Sequence, residues 1–311
     1  MKTLNNQSKN DNIFGEIYNF IQRKDNVPYV FDILIVVAVL LLFVYPLLYG
    51  IYSSFITQEG FSLDNYFRLF DDRIFYASLY VTFSYVILYT VGIMIIGFIT
   101  GLAIDISEKN SLPGAKILSS LLTLPYAIPD VVGALIWLWM LNPRRGVINY
   151  LLNLIGLGSV DWLVNSDIAL ITVTMVSVWR LFPMHTLIIM AAFRTVPQNL
   201  YEAAEIDGAT ILQEFFYITI PSIWNIIKFL ILLTVVWSFK RFTMLWLLTE
   251  GGPRHATETL SLKIYKEAFQ FYNKNYASAT AVILLIIVAI LSFIYVKYTK
   301  LEEREEGGSV I

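Results

Sequence analysis

The sequence contains no cysteine, which excludes disulfides, thiolate nucleophiles and cysteine-built metal centres. Its two histidines, His185 and His255, lie far apart. A metal centre would therefore have to be mostly carboxylate, and a nucleophile–base pair has little to draw on. Charge is scarce too: Asp, Glu, Lys and Arg make up 15% of the 311 residues, against about 25% in soluble domains. The net charge of -2 implies no nucleic-acid partner and says nothing about a substrate. No G-x-x-x-x-G-K-[ST] run occurs, so a phosphate loop of that kind is missing. Nor is there a convincing internal repeat with matching broken spans, which speaks against a secondary transporter driven by an ion gradient.

What the chain has in quantity is apolar surface: 57% of its residues are hydrophobic and the mean hydropathy is +0.64. It reads as an integral membrane protein. Six apolar runs, at Phe31–Phe55, Ala77–Ile106, Ala115–Met140, Ile168–Ala192, Ile223–Leu248 and Ala277–Val296, each approach the length needed to cross hydrocarbon, which is about 20 residues. Lipid leaves helices or closed barrels as the spanning structures, and runs of this length mean helices. The expected fold is all-α with six transmembrane helices. Gly97 and Gly101 form a small-xxx-small pair suited to close helix approach. Ahead of the first run, residues 1–12 are polar, and Ile13, Ile17, Phe20 and Ile21 recur at helical spacing with Arg23 and Lys24 behind. That pattern predicts a short helix lying in the headgroup plane rather than a signal peptide.

Between the fourth and fifth runs lies YEAAEIDGATILQEFFYITIP, Tyr201 to Pro221, which carries Glu202, Glu205, Asp207 and Glu214. Ionised carboxylates are expensive in lipid, so this is a loop on one membrane face. Pro197 suits a first helical turn, and Leu200, Ala203, Ala204 and Asp207 follow at helical spacing. Gly208 reads as a helix stop, and Thr210 with Gln213 as a capping-box start for a second helix carrying Leu212, Phe215 and Phe216. Two short helices at an angle make a peg for a partner.

The spacing Glu202-Ala203-Ala204, Gly208, then Ile218-x-Ile220-Pro221 resembles the EAA loop of ABC-importer permeases, with Ile220 where the family pattern has Leu. In that family the loop is a coupling helix that enters a cleft on a cytoplasmic ATPase subunit. The resemblance implies a type I ABC-importer permease fold, with Glu202, Ala203, Ala204, Asp207, Gly208 and Pro221 as ATPase-coupling residues. It implies no cofactor in this chain, ATP and Mg being bound by a partner ATPase dimer. Further partners are a second permease subunit, an extracytoplasmic sugar-binding protein and membrane lipid. It divides the chain into a cytoplasmic segment 1–30, a transmembrane domain 31–296 with its coupling loop at 194–222, and a cytoplasmic tail 297–311. Counts of Lys and Arg on the two sides are nearly equal. Lys24, Arg194, Lys297 and Lys300, close to span ends, favour both termini inside, and the loop resemblance agrees. The setting is then a bacterial or archaeal cytoplasmic membrane.

Leu248-Thr249-Glu250-Gly251-Gly252-Pro253 is similar to a turn of the sugar permeases in this superfamily, and Asn142-Pro143 with Gly146-Val147-Ile148-Asn149 resembles their loop after span three. Within the runs, Pro125 and Pro129 free carbonyls next to Asp130, Trp179 and Arg180 precede Pro183 and His185, and Trp237 and Ser238 precede Lys240 and Arg241. Sugars need flat aromatic faces and hydrogen-bonding groups, which Trp, Tyr, Ser, Asp and Arg supply. Matching the maltose-permease type of motif nominates Tyr126 and Asp130; Ser177, Arg180, Leu181 and Met184; and Thr234, Trp237, Ser238 and Arg241 as substrate-binding residues. Asp130, Arg180 and Arg241 stand where that type is uncharged. They would grip an anionic substrate, or Asp130 would pair with an arginine inside the bundle. Trp139 reads as an interface-belt residue and His185 as a satisfied buried polar group. The alternatives are an ion-coupled secondary transporter, an intramembrane enzyme and a bare membrane scaffold; co-purification with a P-loop ATPase separates an importer from all three.

Overall fold

A computed structural model describes residues 27–110 and 113–308. The expected headgroup helix at 13–24 lies outside them. A bent first helix is made of α1 (Val27–Val39), a π-helical turn at Leu40–Val44 and α2 (Tyr45–Ser54). A two-residue hairpin, β1 (Ile56–Thr57) and β2 (Gly60–Phe61), follows, then the amphipathic α3 (Asp64–Asp71). The long α4 runs from Arg73 to Lys109; at 37 residues it measures about 55 Å, well beyond the roughly 30 Å of hydrocarbon. Its start is fixed by Asp72, whose carboxylate accepts a hydrogen bond from the Ile74 N–H at 2.8 Å.

α4 packs along α8 (Ala169–Phe193) more extensively than any other helix pair. The Gly97/Gly101 pair explains the closeness: a Cβ on Gly97 would come within 3.0 Å of His185 Cβ, and one on Gly101 within 3.3 Å of Ile189. Around this pair, Tyr85, Tyr89, Ile93, Val173, Val176 and Ile189 form the centre of the core, with Leu230 and Leu245 from later helices. α8 contains Pro183 without breaking.

The third run is not one helix. It divides into α5 (Ala115–Ala127) and α6 (Asp130–Met140), bent by 104°. Ile128 is extended, as a residue before proline tends to be, and Pro129 has no N–H to continue the ladder. α7 (Val147–Leu154) caps the far end. Buried Asn149 fixes this loop, donating to the carbonyls of Pro143 and Val160 and accepting from the Val160 N–H and Trp162 Nε1. Any side chain at Gly146 would collide with the Met140 and Asn142 carbonyls, at 2.4 and 2.5 Å from a Cβ. That is the physical content of the Asn-Pro…Gly-Val-Ile-Asn pattern.

Beyond α8 come α9 (Gln198–Ile206), α10 (Ile211–Glu214), a π-helical turn at Phe215–Thr219 and α11 (Ile220–Ser222). The chain bends by 70° at Ile223 into α12 (Trp224–Phe239). The fifth run also departs from the expected single span: it breaks at Lys240–Phe242 and resumes as α13 (Thr243–Thr249). α14 (Leu260–Tyr265), a π-helical turn at Lys266–Gln270 and α15 (Lys274–Gly308) complete the order. Among the described residues, Phe31–Ser54, Arg73–Lys109, Ala169–Phe193 and Lys274–Tyr298 are long and apolar enough to cross a membrane singly. Counting each of the two bent pairs as one span gives six. The chain is a multi-pass membrane protein.

Candidate functional site

Two places in this fold carry chemistry: a cavity at the helix breaks, and the loop between α8 and α12.

The cavity exists because two helices end inside the bundle. The break after α5 starts α6 at Asp130, which puts a carboxylate in a first helical turn, where the helix dipole favours it. The break after α12 delivers Lys240 and Arg241. Between them lies a space of about 380 Å³ lined by Tyr89, Asp130, Leu181, His185, Thr234, Trp237, Lys240, Arg241, Phe242, Thr243 and Met244. Arg180 stands beside it, buried, with Nε 3.1 Å from Asp130 Oδ1 and its guanidinium over the Tyr126 ring at 5.6 Å. Asp130 thus pairs with Arg180 inside the bundle, and Arg241 does not share that ion pair. The Arg180 Nη1 is buried and has no hydrogen-bond partner among the described residues. Arg241 lies over Tyr89 at 5.1 Å. His185 is buried and satisfied: Nε2 is 2.7 Å from the Thr234 hydroxyl, which itself donates to the Leu230 carbonyl.

Of the nominated residues, Asp130, Leu181, Thr234, Trp237 and Arg241 line this space, and Tyr126 and Arg180 adjoin it through Asp130. Ser177, Met184 and Ser238 do not line it. Ser177 and Ser238 are buried, their hydroxyls donating to Val173 and Val235 carbonyls of their own helices at 2.9 and 2.8 Å. Tyr89, Phe242, Thr243 and Met244 are lining residues that the motif matching did not nominate. The adjacent charges of Lys240 and Arg241 inside an apolar run were the signal for the break that exposes the last three.

The second place is the loop. α9 ends in a Schellman motif: Gly208 adopts φ +75°, its N–H donates to the Glu205 carbonyl at 3.1 Å, and the Ala209 N–H donates to Ala204 at 2.9 Å. A capping box at Thr210 and Gln213 starts α10. The Tyr201 and Thr219 hydroxyls meet at 2.8 Å and hold the two arms together. Lys109, at the end of α4, lies over the Tyr201 ring at 5.3 Å and pairs with Asp105 at 2.9 Å, while Arg194 donates to Glu108 at 2.7 Å. Glu202, Ala203, Asp207, Gly208 and Pro221 are exposed, and Ala204 is half-buried. Next to the carboxylates stand Ile206, 86% exposed, Ile211 and Leu212. Exposed charge beside exposed large aliphatic side chains is a composition suited to a protein interaction surface.

The family model described as binding-protein-dependent transport system inner membrane component matches residues 93–301. The chain belongs to that family. It is 32% identical, over 91% of its length and all of the relative's, to a probable ABC transporter permease protein of Pyrococcus horikoshii. To the trehalose/maltose transport system permease protein MalF of Thermococcus litoralis it is 32% identical, over 78% of this chain and 81% of that one. Among solved structures it is similar in fold to a bacterial ABC transporter that imports the acidic polysaccharide alginate. The TM-score is 0.76 at 22% identity, covering 91% of this chain and 99% of that one. This permease is thus a transport subunit of an ABC system, and the expectation from the Glu-Ala-Ala loop is borne out at the level of family and fold.

Proposed function

We propose that this permease forms half of the translocation path of an importer for a sugar or oligosaccharide, and that a partner ATPase drives it through the 194–222 loop. The observation that carries the reading is that loop: a preformed helical elbow beside the end of α4 that presents Glu202, Glu205 and Asp207 together with an exposed aliphatic ridge. Glu202, Ala203, Ala204, Asp207, Gly208 and Pro221 are its coupling residues. The loop and both termini then face the cytoplasm, and ATP and Mg belong to the ATPase. The name of the Thermococcus litoralis relative supports a carbohydrate cargo. So does the mixture of aromatic faces and hydrogen-bonding groups around the cavity. A second permease completes the pore, and an extracytoplasmic binding protein delivers the cargo at the opposite end. ATP-driven closure of the ATPase pair rocks the permeases between inward- and outward-facing states.

Glu202→Lys and Gly208→Asp test the coupling role. Both variants should insert into the membrane normally yet lose the co-purifying ATPase or uncouple hydrolysis from uptake. Variants that retain the bound ATPase and transport like wild type sink the proposal.

A further inference from the structure

We propose that the cargo carries negative charge, as a uronate or as a sulfate or phosphate ester, and that Arg241 is its recognising fork. The inference deepens the import reading above and rests on it. It starts from the balance of charge at the two helix breaks. Among the described residues Asp130 is the only carboxylate lining the cavity, whereas Lys240 and Arg241 line it as cations and Arg180 stands alongside. One negative group against three positive ones leaves two positive charges over. Asp130 is already engaged by Arg180 at 3.1 Å. Neither Lys240 nor Arg241 has an ion-pair partner among the described residues.

Cations held within a membrane bundle are costly unless something answers them. The shape of the site says what kind of group would. The Tyr89 ring, 5.1 Å from the Arg241 guanidinium carbon, orients that fork from one face. The Arg241 side chain makes no hydrogen bond within the described residues, so its N–H groups are free to meet a planar carboxylate or a tetrahedral ester in two-point fashion. Lys240 is exposed at the same break. Trp237 and Phe242, also in the lining, offer flat surfaces for the C–H face of the same ring. Buried Arg180 retains an Nη1 with no hydrogen-bond partner beside this space.

The experiment uses the complete transporter, with its second permease, ATPase and binding protein, in proteoliposomes. Uptake is measured for matched saccharides of equal length and linkage in neutral, uronate, sulfated and phosphorylated forms. Wild type should take up a charged member at least tenfold faster than its neutral match, and the uronate, sulfate and phosphate arms identify the anion. Arg241→Gln should raise the KM for the charged member about tenfold and abolish the preference for it over its neutral match. Neutral uptake that equals or exceeds charged uptake overturns the inference. A charge preference that survives Arg241→Gln overturns the assignment to Arg241. Uptake of no saccharide at all, with an intact and hydrolysing complex, strikes the import reading itself rather than this refinement of it.

Discussion

The two ends of α4 use the same chemistry in opposite solvents. At its Asp72 end, Lys263 is only 3% exposed and donates to Asp72 Oδ2 at 2.7 Å, with Glu267 at 3.6 Å. Tyr276 donates to the same oxygen at 2.7 Å, and Thr82 accepts the Leu260 N–H at 2.8 Å. Nearby, Glu258 is equally buried and takes both His255 and Lys266. At the Lys109 end the cations reach solvent: Lys109 is 56% exposed opposite a buried Asp105, and Arg194 63% exposed opposite a Glu108 that is 36% exposed. Burial decides what each pair does. A desolvated pair fixes geometry, because removing one partner strands the other. A solvated pair contributes little and leaves the segment free to be repositioned. One end of the rod is therefore clamped to the 257–276 segment, and the other is a surface.

The clamp gives the largest expected effect. Lys263→Ala leaves Asp72 and Glu267 facing each other's charge in a half-buried site, a loss of about 3 kcal/mol or more. Thermal unfolding of the purified protein in detergent should show a large drop in Tm, larger than for any single substitution among the exposed pairs. A drop no bigger than theirs would erase the distinction between the two ends.

Acid should reach the clamp next. Burial on its own raises the Asp72 carboxyl, but the hydrogen bonds from Lys263, Tyr276 and the Ile74 N–H, with the Lys263 charge, outweigh it and hold the acid below its ordinary 3.8. A carboxyl depressed in the folded state contributes stability that is fully present above its unfolded value and is lost as pH falls through the folded one. Wild type should therefore lose Tm relative to Asp72→Asn as pH drops below 3.8. Parallel curves for the two proteins through that window would show that the carboxylate is not specially held.

How much of this was legible in the chain depends on whether the signal was local. The Gly208 stop and the Thr210/Gln213 start are read within four residues, and the structure has both. The close approach at Gly97 and Gly101 was equally visible as a spacing. The helix break at Lys240–Phe242 was marked by nothing but the adjacent charges of Lys240 and Arg241, because Ile223–Leu248 is otherwise apolar enough to read as one span and contains no proline or glycine. Missing that break also hid Phe242, Thr243 and Met244 from the cavity. Ser177 and Ser238 lie outside the cavity lining: inside a bundle a hydroxyl's nearest acceptor is a carbonyl of its own helix, and both donate to one. The Asp72–Lys263 pair spans 191 positions, a separation at which no periodicity carries information.

The smallest effect is expected at the Lys109 end, and there smallness is the point. Arg194→Ala removes a hydrogen bond to Glu108 from a site where both groups are solvated, so stability should change by no more than about 1 kcal/mol. Salt should weaken even that, since the pair lies in screening solvent. The check is Tm of Arg194→Ala against wild type at low and high ionic strength. The expected outcome is a small difference at low salt that vanishes at high salt. A large, salt-insensitive loss would mean that this end is clamped as firmly as the other. The loop between α8 and α12 would then be a fixed strut, unable to move relative to α4 when a partner pulls on it.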